Sequence, residues 1–520
     1  MKKCFASLIS LSLILVSCSK AQPSATPPPS TPSATAQATS TPTAAPTLPP
    51  TTDALSTAWD DRSIFAAGLV QSQQSTLNEL QGASIYHLDI QIAEDMFHIK
   101  GVEEVRYTNT ETVPLNEIEF RLFPNILGGE MTITNLTVDG QSVAPQYDLQ
   151  NSLMVVSLSS PLEVGQSAIL KMDYAVTVPQ SVDLNYGVLA YYQDVLALAH
   201  AYPTICVYDD EGWNAEIPPQ DGDVTYGDAA FYIVRVTAPA GITLVTSGRD
   251  ISHDEADQLQ TLTVASGPAR DFYLAASPKY EEVSQTFDEV TIHSYAYTGF
   301  QDGAQFSLEV ASKAIDFYSD QYAPYPYTEL DIVATPNMAL GIEYPGMIAI
   351  ADRIYDLDQQ TTGTPTSIIL ESTVAHEVGH QWFYNLVGDD QLDDPWLDKS
   401  LTQFITLQYY ADQYGSNGEQ GFRNSLEGRW ARVNKENIPI GLPVAGYSGA
   451  EYGAIVYGRG PLFFVALREQ MGKEAFNSFM KEYTTTLSWG ISTPQELQTL
   501  AEKHCNCILQ PLFNEWVYPP

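Results

Sequence analysis

The stretch His376-Glu377-Val378-Gly379-His380 decides how this 520-residue chain is read. On a helix, residues four apart are separated by roughly 40° around the axis and about 6 Å along it, so both imidazoles can face one ion. Glu377 lies about 100° further round. There its carboxylate can take a proton from a water polarised by the ion and later hand it to a leaving amine. Amide hydrolysis is the chemistry this spacing serves. The flanks predict a helix over 368–387, capped by Thr366 or Ser367 after Pro365 and closed by Gly388 at positive φ.

Further along, Pro395-Trp-Leu-Asp-Lys-Ser-Leu-Thr-Gln-Phe404 predicts a second helix. Asp394 would cap it, Lys399 falls in its second turn, and it runs to about Tyr414 before Gly415. Together with His376 to Asn385, this segment resembles the membrane alanyl aminopeptidase family of gluzincins, which includes leukotriene hydrolase. Members read H-E-x-x-H-x-W-F-G-N and then W-L-N-E-G-F-A. The resemblance implies one zinc ion on His376 and His380, Glu377 as catalytic base, and a third ligand nineteen positions after His380. That position is Lys399, where the family has Glu.

An ammonium has no lone pair, and removing its proton at pH 7 costs roughly 4–5 kcal/mol from a reference pKa of ~10.4. Left charged at ~4 Å from a divalent ion, it opposes binding by about 8 kcal/mol even at an effective dielectric of 20. Two His and water make a weak zinc site. Asp398 sits about 100° off the required face, while Asp389, Asp390 and Asp393 lie on a connecting loop that can bend inward. Three readings stay open, one of them that position 399 is Glu in the natural protein and this chain a variant; the other two concern the chain as it stands. Either a neighbouring carboxylate completes the metal site, or Lys399 pairs with Glu377 or Glu343 and leaves a metal-poor, peptide-binding pseudoenzyme.

Two more segments carry the resemblance. Leu340-Gly341-Ile-Glu343-Tyr-Pro-Gly-Met347 is similar to the family's G-x-M-E-N segment, which implies that Gly341 and Glu343 meet the substrate, with Glu343 on the free α-amine of a peptide. A carboxylate at the blind end of a groove selects a cationic terminus, which makes a peptidase an exopeptidase. Tyr457-Gly-Arg-Gly460 is similar to Y-x-K-G, which implies Tyr457 as hydrogen-bond donor to the oxyanion of the tetrahedral intermediate. Tyr452 is the competing phenol.

Composition agrees with a large enzyme. The chain is long enough for two or three domains, and 44% hydrophobic residues supply ample core. A formal charge of −39 argues against nucleic acid or anionic lipid surfaces as partners and favours a cationic peptide. Lys2-Lys3 precede an apolar run from Phe5 to Val16 that ends in Leu15-Val-Ser-Cys18. This resembles a bacterial lipobox and implies a signal peptide over 1–18, lipidation of Cys18, and export to the outer face of a bacterial membrane. Residues 19–58, rich in Pro, Ser, Thr and Ala, are expected to be a disordered linker reaching up to ~100 Å. With Cys18 acylated, Cys206, Cys505 and Cys507 allow at most one disulfide.

Within an expected first domain over 59–285, the chain reads as strands from about 80 to 285. Tyr86 to Ile92 and Phe231 to Thr237 alternate apolar and polar residues, and Pro239-Ala-Gly241 is turn chemistry before Ile242 to Thr246. From about 300 the pattern turns helical, within an expected second domain over 286–520. The expected fold is therefore α+β: an antiparallel, saddle-like β domain followed by a thermolysin-like, mainly helical gluzincin domain. Leu512 to Val517 resembles the end of that catalytic domain, which implies a form without the family's C-terminal helical domain. The expected function is zinc-dependent removal of N-terminal residues from extracytoplasmic peptides.

Overall fold

The computed structural model describes residues 53–219, 222 and 226–518. The expected signal peptide, Cys18 and the linker up to residue 52 lie outside the described residues. The last residues assigned to that linker, 53–58, are packed rather than extended: Asp53 accepts a hydrogen bond from Leu55 and pairs with Arg235 at 3.2 Å. Trp59 then stacks on His87 at 4.2 Å, and Asp60 pairs with Arg106. This cover explains why the strand Ile85–Ile92 is buried on nearly both faces although its sequence alternates.

The fold is α+β, as expected. Its first part is an eight-stranded sheet ordered Arg249–Ala256, Leu259–Ala269, Ala230–Pro239, Ile85–Ile92, His98–Thr108, Ser167–Thr177, Glu130–Val138 and Gln141–Ser142. Two four-stranded sheets accompany it. One pairing departs from an antiparallel design: Ile85–Ile92 runs parallel to Ala230–Pro239, with Ile85 opposite Phe231. Only a long excursion of chain can deliver a parallel neighbour, and here it spans most of the domain.

The second part opens with strands, and its first helix begins at Gln301, near the expected residue 300. Tyr280–Phe287, Val290–Tyr297, Glu329–Thr335, Met347–Ala351 and Gly341–Tyr344 form a five-stranded sheet in that order, so the sheet begins before residue 286. Its edge strand, Gly341–Tyr344, carries Glu343. Three helices pack beside it: α1 (Gln301–Gln321), α2 (Thr366–Gly379) and α3 (Leu401–Trp430), the last interrupted at Gly415 by non-helical backbone. Tyr318 on α1 donates to the carbonyl of Ala375 on α2 at 3.0 Å.

Helix α2 is shorter than its sequence suggests and ends at Gly379. No side chain caps its start; the Thr366 hydroxyl donates instead to the carbonyl of Gln359. Gly379 is there for space: a Cβ would lie 2.9 Å from both Ile405 and Thr402 on α3. Gly388 does not act as a positive-φ helix stop either. A Cβ there would strike the guanidinium of Arg270, which donates to the carbonyls of Asn385, Gly227 and Gly490 and so ties the two parts of the molecule together. Cys505 and Cys507 form a disulfide, and Cys206 is a buried free thiol. Among the described residues no helix is long and apolar enough to cross a membrane.

Candidate active site

His376 lies in the last turn of α2 and His380 caps its end. Their Nε2 atoms face each other at 3.2 Å. Nδ1 of His380 is 2.9 Å from the carbonyl oxygen of Phe383, which can only accept, so Nδ1 carries the hydrogen and Nε2 presents a lone pair. Burial holds both imidazoles well below the usual histidine range, helped by the positive charge of Lys399 and, at His376, by Arg429. Neutral imidazole is the form in which histidine binds a metal.

Glu377 is buried beside them. Gly341 makes room for it, since a Cβ at 341 would overlap the Glu377 carboxylate. The edge strand is set at this distance by Gln381, whose amide donates to the Tyr344 carbonyl and accepts from the Gly346 N–H, both at 2.9 Å. Gln381 directly follows His380, so one residue couples the imidazole pair to the strand bearing Glu343.

Lys399 and Asp398 lie in a π-helical turn, Trp396–Ser400, that leads into α3. The wider turn changes the facing of successive side chains from that of a regular helix, and both residues point inward. The Lys399 ammonium, only 1% exposed, pairs with Oε1 of Glu343 and, at 2.7 Å, with Oδ2 of Asp398. Those carboxylates stand 3.9 and 4.0 Å from Nδ1 of His380. Gln391 donates to Asp398 at 2.7 Å and reaches Glu343 at 3.5 Å. Asp389 is also buried, neither of its oxygens accepts a hydrogen bond, and burial followed by repulsion from Asp398 pushes its carboxyl well above the usual range.

Tyr457 sits in a second π-helical turn, Ile455–Arg459, with its ring centroid 6.2 Å from that of His376. The two turns are joined where Ser400 donates to the Val456 carbonyl at 2.6 Å. Tyr452 is the neighbour of Tyr457, with ring centroids 5.8 Å apart. All of Gly341, Glu343, His376, Glu377, His380, Tyr452 and Tyr457 line one cleft of about 770 Å³. Gln391, Tyr384 and Asp271 also belong to this neighbourhood, with Tyr384 donating to Asp271 at 3.0 Å. No motif announces Gln391, because a loop residue without periodicity carries no positional signal, whereas Tyr384 stands inside the His376–Asn385 motif, where the family pattern has Gly.

The donor set fits a divalent ion in type. Donor atoms of Glu343, Glu377 and His380 lie within 4.8 Å of one another, and His376 faces His380. The third position of the family pattern is the exception. It holds a cation that has already taken Glu343, the carboxylate in reach.

Residues 306–516 match the Peptidase family M1 domain. Aminopeptidase M1-B of Oryza sativa subsp. japonica is 24% identical over 74% of this chain. Human endoplasmic reticulum aminopeptidase 1 is 24% identical over 46%. The chain spans 45% and 27% of these two relatives, less than half of either. In structure it is similar to the M1 zinc metallopeptidase of Deinococcus radiodurans, with a TM-score of 0.60 and 20% identity over 85% of this chain and 95% of that one. A variant of the Deinococcus protein bound to a Tyr-Ser-Ala substrate gives a TM-score of 0.61 at 20% identity, covering 85% of this chain and 96% of that one. With the motifs of α2, the edge strand and both π-helical turns gathered on one cleft, residues 306–516 carry a Peptidase family M1 domain.

Proposed function

We propose that this chain is an exported, aminopeptidase-type hydrolase that takes extracytoplasmic peptides by their free N-terminus. The observation that carries the reading is the meeting of the paired imidazoles, Glu377 and Tyr457 on the wall of one cleft whose edge strand carries Glu343. His376 and His380 would hold zinc, with Glu343 as the carboxylate in reach. Bound there, zinc supplies Lewis-acid polarisation of the scissile carbonyl. Glu377 takes the proton of the attacking water and passes it to the leaving amine. Tyr457 donates to the developing oxyanion. A carboxylate offers about four acceptor sites, so Glu343 retains capacity for the substrate ammonium. An extended peptide can add to the open side of Gly341–Tyr344 as a further strand. The Tyr-Ser-Ala peptide on the Deinococcus protein supports a short peptide as occupant.

Export and lipidation of Cys18 belong to the same proposal and rest on residues 1–18 alone. The division into a β domain and a catalytic domain is part of the proposal too, with strand Tyr280–Phe287 on the catalytic side of the boundary.

A second reading is favoured by the pairing of Lys399 with Glu343 and Asp398: a metal-poor protein that binds peptides without cutting them. One experiment separates the two. Short peptides with free and acetylated N-termini are offered to the purified chain with zinc present, and both binding and turnover are recorded. Turnover of the free form alone supports the hydrolase, and binding without turnover supports the second reading. Equal cleavage of the acetylated form would remove Glu343 from amine recognition.

A further inference from the structure

We propose that Arg429 and Arg432 form a carboxylate-binding subsite in the cleft, so that the preferred occupants are short peptides held by both ends. This rests on the reading of the cleft as a peptide site. Arg429 lies in the last turn of α3 and Arg432 in the 3-10 turn Ala431–Val433 that follows. Both line the cleft alongside His376, Tyr452 and Tyr457.

The half-buried guanidinium of Arg429 donates to the carbonyl of Tyr457 at 3.2 Å, which uses one of its five N–H groups. Among the described residues neither arginine pairs with a carboxylate. Their neighbours behave otherwise: Arg423 and Lys435 both pair with Glu427. In a chain with 63 acidic and 24 basic residues, two guanidiniums without a carboxylate partner among the described residues bring positive charge to that part of the cleft. Burial, and then the like charge of Arg432, push the Arg429 guanidinium below its ordinary range.

Glu343 and Glu377 line the same cleft and bring negative charge to it. A cleft with carboxylates in one part and guanidiniums in another matches a zwitterion, and a guanidinium fork matches a carboxylate in two-point geometry. The carboxylate can be the C-terminus of a di- or tripeptide or an acidic side chain of a longer one.

The test is calorimetric titration of the unmodified full chain with Leu-Ala-Ala as free acid, as C-terminal amide and as N-acetylated acid, and with Leu-Glu-Ala amide against Leu-Gln-Ala amide. The free acid is expected to bind at least about tenfold more tightly than its amide. Arg432→Gln, an exposed change, and Arg429→Gln should each reduce that ratio to less than threefold without altering affinity for the amide, while Arg432→Lys should keep most of it. A preference for the Glu-containing amide would keep the subsite and give it a side chain as ligand. Equal binding of acid and amide, with acetylation still abolishing binding, would overturn the subsite while leaving amine recognition intact. An acid preference that survives acetylation would keep the subsite and instead remove Glu343 from recognition. Binding of none of these peptides would overturn both.

Discussion

Lys399→Glu is the perturbation that tests the site most directly. In the present chain the ammonium is buried between Glu343 and Asp398, with Glu377 and Asp389 close by. Removing one partner of a buried ion pair costs about 3–5 kcal/mol. A new carboxylate adds repulsion of about 4 kcal/mol per neighbour at ~4 Å and an effective dielectric of 20, unless protons are taken up. Metal-free Lys399→Glu should therefore be less stable than its parent by at least about 3 kcal/mol. The same change removes roughly 5–8 kcal/mol of repulsion between the ammonium and a dication ~4–6 Å away, and it restores a third ligand. Zinc at a thousand times its dissociation constant would then return about 4 kcal/mol. Thermal unfolding of both proteins in chelator and in zinc, with metal content measured after dialysis against a mild chelator, reads these terms. The parent should respond weakly to zinc and the variant strongly. A parent that keeps one equivalent of zinc through dialysis, or a variant as stable as the parent in chelator, would refute the reasoning.

Three further outcomes are expected. In the Lys399→Glu background with zinc, Tyr457→Phe should lower kcat by about 10²–10³ with little change in KM, and Tyr452→Phe should be mild; the reverse order would put the oxyanion donor on Tyr452. In that background Glu377→Gln should abolish turnover while zinc stays bound, and retained turnover would assign the base elsewhere. Burial raises Asp271, Asp390 and Glu119 to about 7 and Asp394 to about 6, so the folded chain holds protons that unfolded carboxyls, with pKa values near ~4, have released. Stability from these groups is lost as pH rises through 7. The depressed imidazoles of His376 and His380 act in the opposite sense, only below about pH 6.5. Tm should accordingly rise from pH 8.5 to 6.5, and a flat or inverted profile by scanning fluorimetry would contradict this.

The sequence by itself determined the chemistry-bearing positions. The spacing of His376 and His380 needs only helical periodicity, a local property, and the pair does face one point although α2 ends at Gly379. The motifs around Glu343 and Tyr457 likewise placed both residues on the cleft wall. Tertiary structure decided the rest. Whether Asp398 could reach the site depended on a π-helical turn that no residue pattern encodes, because it arises where the Trp396–Ser400 and Ile455–Arg459 turns pack together through Ser400 and Val456. The parallel pairing of Ile85–Ile92 with Ala230–Pro239 joins segments too far apart in sequence for any local signal. The sequence leaves the partner of Lys399 open between Glu343 and Glu377; the fold brings it against Glu343, on an edge strand that Gln381 holds in place. A charge reports its sign in the sequence, but which opposite charge it meets is fixed only when distant elements close around it.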